Sequence, residues 1–217
     1  MFKKIIMKKI LPILSGLILT CASLNAQTTV FEENFNSSAS MPSSIEVVNY
    51  NNDGTTFEFQ QSGGVNNSKC AGIGYAYPEN FDAIRVYNTI YEAGKTYTLT
   101  FSHKAASSIY TEKFFCGFWN SNSSVWGEVS AVQYTNDTSF QEVTLSYTPS
   151  SNHYGYVNIT NKSEDELGWY VDDISITVTV PSAISVVTSP ASQISKNSAV
   201  SGGTITNPNN EVIETVA

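Results

Sequence analysis

Apolar and polar residues alternate with period two through most of residues 30 to 180. In Thr96-Tyr97-Thr98-Leu99-Thr100-Phe101, Tyr97, Leu99 and Phe101 fall on one side and three threonines on the other. That is the pattern of a strand with one buried face. Val143, Leu145 and Tyr147 repeat it, as do Ile174, Ile176, Val178 and Val180 against Ser175, Thr177 and Thr179. Further strands are predicted over 30–35, 45–50, 56–60, 69–77, 83–90, 114–120, 127–134 and 153–161. Turn residues separate them, at Asn52-Asp53-Gly54, Ser62-Gly63-Gly64, Glu92-Ala93-Gly94-Lys95 and Thr148-Pro149-Ser150. No stretch sustains a helical period. About ten short strands at this spacing predict an all-β fold, a two-sheet jelly-roll sandwich.

Composition sets the borders of that domain. Aromatic residues are dense from Gln27 to Val180, and Pro181–Ala217 contains not one Phe, Tyr or Trp. A tail without large side chains buries too little surface to offset its ordering entropy. Residues 181–217 therefore read as a linker or the start of a truncated module, with strand-like patches at 184–187 and 204–206; Ser198-Ala199-Val200-Ser201-Gly202-Gly203-Thr204-Ile205-Thr206 resembles the first strands of fibronectin-like repeats. At the other end, Met1-Phe2-Lys3-Lys4, Lys8-Lys9, an apolar run from Ile10 to Leu19 and Leu24-Asn25-Ala26 have the parts of a secretory signal peptide. Cleavage after Ala26 is expected, leaving a sandwich over residues 27–180 in a secreted or cell-surface protein. A lipoprotein cut just before Cys21 is the competing reading, disfavoured by Thr20 at the preceding position. The apolar run is too short to favour a permanent span, which needs about 20 residues.

The chain carries 11 basic and 19 acidic residues, a net charge of −8. Removing the leader's four lysines leaves 7 against 19, a net charge of −12. A surface this acidic repels phosphate backbones and excludes nucleic-acid binding. Cys70 and Cys116 remain in the mature chain, and an oxidising compartment permits one disulfide between them. Two separate buried thiols are the alternative, and sequence does not choose. His103 and His153 fall in no metal-ligand spacing. Nucleophile elbows and phosphate-cradling loops are absent, so no enzyme is expected.

Two acids stand out by strand parity. Glu33 shares a face with Phe31 and Phe35, and Asp172 with Ile174 and Ile176. A carboxylate on an apolar face is costly unless paired or metal-bound. They lie on the first and last strands, which jelly rolls often place side by side, and neither has a basic neighbour. Structural Ca²⁺ is the expected neutraliser, as a hard cation that takes all-oxygen ligands; the alternative is that the parity slips at the strand ends and leaves both carboxylates in water. Asp53 in Asn49-Tyr50-Asn51-Asn52-Asp53-Gly54 offers half a calcium loop, or an ordinary hairpin turn.

The order Phe31-Glu32-Glu33-Asn34-Phe35, Asn51-Asn52-Asp53-Gly54, Asn80-Phe81-Asp82-Ala83-Ile84, Glu92-Ala93-Gly94-Lys95 and Trp169-Tyr170-Val171-Asp172-Asp173-Ile174 resembles the cleaved-adhesin or choice-of-anchor J jelly-roll modules of exported Bacteroidetes proteins. The resemblance implies an adhesion or accessory module with structural calcium. It places Asp53 in the family's acidic turn and Asp82 at the acid preceding its Trp-Leu-Ile strand, where this chain has no Trp. Trp119 and Trp126 flank a polar loop, Asn120–Val125, with the makings of a sugar-stacking platform. The preceding Phe114, Phe115 and Phe118 favour a core role for Trp119; Trp126 fits either role. The expected function is a non-catalytic module for a glycan or an extracellular protein. Alternatives are an accessory domain of a larger exported peptidase or glycoside hydrolase, and a structural spacer.

Overall fold

Two antiparallel sheets form the unit spanning Asn25–Pro181. The computed structural model describes residues 27–74, 82–163, 168–181 and 185–206 apart from 196 and 199. The expected leader, its cut after Ala26 and Cys21 lie outside the described residues. The first sheet contains β1 (Gln27–Glu33), β3 (Glu58–Gln60), β4 (Cys70–Ile73), β6 (Thr96–Ala105), β10 (Gln141–Tyr147) and β12 (Trp169–Thr179). The second contains β2 (Glu46–Asn49), β5 (Asp82–Tyr91), β7 (Glu112–Asn120), β8 (Val125–Val129), β9 (Gln133–Thr135) and β11 (His153–Asn161). The strand order is β10-β6-β12-β4-β3 in one sheet and β2-β5-β11-β7-β8 in the other, with β1 beside β12 and β9 beside β7. The fold is the expected all-β jelly-roll sandwich, and the described residues contain no α-helix.

Every strand read from the alternation has a counterpart. One correction concerns 127–134, which splits into β8 and β9, each paired with a different part of β7. In the second unit, which includes Ser182–Ala217, β13 (Ser185–Ser192) pairs with β14 (Val200–Thr206) as an antiparallel hairpin.

The pleat sorts side chains between core and surface. On β6 every second residue, Tyr97, Leu99, Phe101, His103 and Ala105, is buried, and the intervening Thr and Ser hydroxyls face outward. Leu99, Phe101, Val171, Ile174 and Ile176 of the first sheet meet Ile84, Phe114, Phe118, Val157 and Ile159 of the second. Trp169, fully buried, stacks on Phe114 with ring centroids 4.6 Å apart and stitches the two layers together. Cys70 and Cys116 are both buried and stand as free thiols. They stand in different sheets: Cys116 belongs to the core, and Cys70 shares the outward parity of Gly72 on β4. Burial pushes the Cys70 thiol up to about 12 and the Cys116 thiol up to about 11, so both are inert at neutral pH.

His103 lies buried near the end of β6 and adds a pH limit. The indole N–H of Trp169 donates to His103 Nδ1 at 3.2 Å, which requires that nitrogen to be unprotonated. Burial lowers the pKa to about 4, against a smaller opposing pull from Asp137. Protonation would set two donors face to face inside the core. The unfolded chain takes up the proton near pH 6.5, so this contribution to stability is complete above pH 6.5 and is lost as pH falls toward 4. Up to about 3 kcal/mol is at stake. Melting temperatures recorded from pH 7.5 to 4.5 should fall more steeply for the wild type than for His103→Gln; parallel curves would refute this assignment.

Candidate functional site

Two regions concentrate functional side chains: a notch in the first sheet and the outer face of the second. The notch lies on one flank of β12. Strand β4 pairs with β12 only as far as Val171, and β1 begins its pairing at Ile174. Asp172 and Asp173 sit between the two partners. Here β12 bulges: Asp172 pairs with Ser102 and Ser175 with Thr100, and Asp173 adopts a positive φ of 48°. The bulge shifts the alternation. Asp172 therefore has the outward parity of Tyr170, and not that of Ile174 and Ile176 as the sequence pattern suggested.

Asp172 is nevertheless fully buried, because the turn before β4 folds over it. Its Oδ2 accepts the Val65 N–H at 2.8 Å and the Ser68 hydroxyl at 2.9 Å, and its Oδ1 accepts the Asp173 N–H at 2.8 Å. Burial raises its pKa, and these three hydrogen bonds oppose the rise. Gly64 is required here. A Cβ at that position would lie within 2.6 Å of Asp172 Oδ2, Ser68 Oγ and the Lys69 carbonyl. The oxygens of Asp172, Ser68 and Lys69 therefore crowd against the Gly64 backbone.

Glu33 lies opposite Ile174 on β1, so the first and last strands are neighbours as expected. Its own oxygens are held by the Phe35 N–H at 2.7 Å and the Ser44 hydroxyl at 3.0 Å. Lys69 ties the two banks of the notch, donating from Nζ to the carbonyls of Ser38 at 2.6 Å and Asn36 at 3.3 Å. Asp53 and Asp82 lie away from the notch in sequence and in sheet. Asp53 accepts the Thr55 N–H and the Asn51 amide within an exposed turn that leads from β2 of the second sheet to β3 of the first, so it is not a hairpin. Asp82 is fully buried at the start of β5, opposite Asn49 of β2. Among the described residues, no three acidic, histidine or cysteine side chains gather as a metal cluster.

The outer face of the second sheet is aromatic. Phe115, Gly117 and Trp119 of β7 point outward, as do Tyr154, Tyr156, Asn158 and Thr160 of β11. From Thr160 to Tyr154 the strand covers about 20 Å. The loop between Trp119 and Trp126 is a tight turn, and it returns Trp126 against Trp119 edge-on at 5.1 Å. Trp119 also stacks with Tyr156 at 6.4 Å and 20°. It is half-buried on the surface, a correction to the core role that its Phe neighbours suggested. The apolar run of β7 is long because both its faces are covered, the outer one by Trp126, which meets Phe115 at 5.8 Å.

A charged network braces this face. Arg85 Nη1 contacts both Glu46 oxygens at 3.0 Å, its guanidinium lies 4.0 Å from the Tyr156 ring centre, and its Nη2 donates to Tyr50 Oη at 3.1 Å. Asn158 Nδ2 donates to the same hydroxyl at 3.1 Å. Tyr50, Asn51, Phe115, Trp126, Asn158 and Thr160 enclose a cleft of about 250 Å³. Asn158 and Thr160 are 3% and 2% exposed, and Asn158 Oδ1 and Thr160 Oγ1 have no hydrogen-bond partner among the described residues. Each such group costs about 1–3 kcal/mol in a folded protein. Sequence reading named the two tryptophans and missed Tyr50, Asn158 and Thr160, since isolated polar residues on a strand give no signal until the sheet assembles.

Gly117 makes room for Trp126: a Cβ there would lie 2.8 Å from the indole ring and 2.8 Å from the Glu128 carbonyl. Gly117→Ala should displace the indole and cost about 1–3 kcal/mol. The near-ultraviolet circular dichroism of the coupled Trp119–Trp126 pair should collapse while the far-ultraviolet strand signal persists. An unchanged near-ultraviolet spectrum would show that this packing is wrong.

No protein-family model matches the chain, and no curated protein matches it in sequence. Solved structures do match. The K3 cleaved adhesin domain of Lys-gingipain from Porphyromonas gingivalis W83 aligns with a TM-score of 0.55 over 70% of this chain and 99% of that one, at 14% identity. The CBM22-1 xylan-binding domain of Paenibacillus barcinonensis Xyn10C gives 0.55 over 73% and 99%, at 7% identity. The CBM22-1–GH10 modules of Clostridium thermocellum xylanase 10B give 0.51 over 69% of this chain and 28% of that one, at 17% identity. At these identities the likeness shows the fold. This jelly roll is one shared by cleaved adhesin domains, the family that the sequence motifs resemble, and by xylan-binding modules.

Proposed function

We propose that the chain is an exported, non-catalytic binding module that holds a glycan on the outer face of the second sheet. The observation that carries this reading is the cleft beside Trp126, where aromatic walls stand over the unpartnered oxygens of Asn158 and Thr160. Flat rings stack on the C–H faces of sugars, and fixed polar atoms bind their hydroxyls. Trp119 and Tyr156 extend the stacking surface along the sheet. The shared fold of the Xyn10C xylan-binding domain supports the reading. An extracellular protein is the other partner such a face would suit. The module can also serve as an accessory domain of a larger enzyme, a reading favoured by the xylanase 10B structure, in which the matching module accompanies GH10. On a glycan array, wild-type protein should bind and Trp126→Ala should lose at least tenfold in affinity. Equal binding by the two proteins would remove the site from this face.

Calcium belongs to the proposal as a structural ion at the notch. Asp172 would hold it, with Ser68 Oγ and the Lys69 carbonyl, whereas Glu33, paired opposite Ile174, takes the other face of the sheet. The ion would supply positive charge to a buried carboxylate whose present partners are all neutral donors. A ligand bound only by the native state at a hundred times its Kd stabilises by about 2.7 kcal/mol, roughly 5 °C or more in Tm for a domain of this size. Calcium added to chelated wild type should raise Tm by that amount, and Asp172→Asn should abolish the rise while Glu33→Gln keeps it. Identical calcium responses in all three proteins would eliminate the site.

A further inference from the structure

The cleft beside Trp126 has features that narrow its ligand further than a general glycan reading, on which the following rests. Its size is the first. At about 250 Å³ it falls below the roughly 300–1,000 Å³ typical of drug-sized ligand sites, so the open cleft has room for one ring at a time. Charge is the second. Its lining contains no ionised side chain, and the neighbouring cation Arg85 is already committed to both oxygens of Glu46. A carboxylate-bearing ring would be desolvated there without a counter-charge, which is unfavourable.

Polarity is the third feature. Asn158 Nδ2 is fixed by Tyr50 Oη, which orients Oδ1 as an acceptor without a partner. Thr160, two residues along β11 and so on the same side of the strand, brings a second unpartnered oxygen that can donate or accept. Tyr50 Oη, which accepts from both Asn158 and Arg85, keeps its own proton to donate. Two acceptors and two hydroxyl donors under an aromatic wall complement hydroxyl groups and no other common ligand chemistry as closely.

We propose that this cleft takes a single uncharged sugar ring of a glycan, and that Asn158 and Thr160 are its specificity-determining residues, each hydrogen-bonding a hydroxyl of that ring. Tyr50 and the Arg85–Glu46 pair are positioning residues that hold Asn158.

Isothermal titration calorimetry of the full chain with xylohexaose, cellohexaose, mannohexaose and hexagalacturonate tests the proposal. At least one neutral oligosaccharide should bind and hexagalacturonate should not. Thr160→Val and Asn158→Leu should each weaken that binding tenfold or more. Thr160→Val should do so without lowering Tm, because it removes a buried hydroxyl that has no partner. A preference for hexagalacturonate, or neutral-sugar binding unaffected by Thr160→Val, would overturn the assignment of the two residues while leaving the glycan reading standing. Failure of all four probes to bind, together with an empty glycan array, would overturn both.

Discussion

The carboxylate of Asp172 closes the one gap in the first sheet. On that flank of β12, two short strands abut end to end, and the backbone between them has no ladder partner. A buried backbone left this way would be costly. Asp172 instead accepts two hydrogen bonds from the turn that precedes β4 and one from the next amide, and so ties the turn to β12. Lys69 then reaches to the loop leaving β1. The first strand, the last strand and the β3–β4 connection are joined at one point, and that point lies far from the hydrophobic core in chemical character. It explains why a residue with a raised pKa is tolerated inside an otherwise ordinary sandwich.

Core and aromatic outer face are divided by the pleat of the second sheet. On β11, Val157 and Ile159 fill the interior while Asn158 and Thr160 point the other way. Those two outward residues are as buried as the inward ones, because Trp126, Phe115 and Tyr50 roof them over. Polar atoms enclosed on the outside of a sheet do not contribute to folding through the core. Their burial is a property of the aromatic layer above them.

Much of this architecture was legible in the residues. Period-two alternation on β6, β10 and β12 located strands and assigned Leu99, Phe101 and Ile176 inward, because burial on one face alone writes that pattern. The fold class followed from strand spacing. The failures have physical causes. A bulge at Asp173 adds a residue to one strand only, so counting along the chain put Asp172 on the wrong face. Trp119 was misjudged because β7 is apolar on both sides, which erases the alternation. The pairing of Cys70 and Cys116 depends on which sheet each joins, a long-range fact that no local pattern contains. Asn158 and Thr160 looked like ordinary surface residues until Tyr50, more than a hundred positions earlier, came to lie over them.

Because successive residues of β7 and β11 serve opposite sides, the two jobs of each strand are separately editable. Phe115, Trp119, Tyr156, Asn158 and Thr160 can be exchanged without a single change to the interior. Gly117 is the exception that any new roof resembling Trp126 must keep. A scaffold with this division of labour can be redirected from one recognition target to another by rewriting alternate letters, its folding instructions carried intact in the letters between.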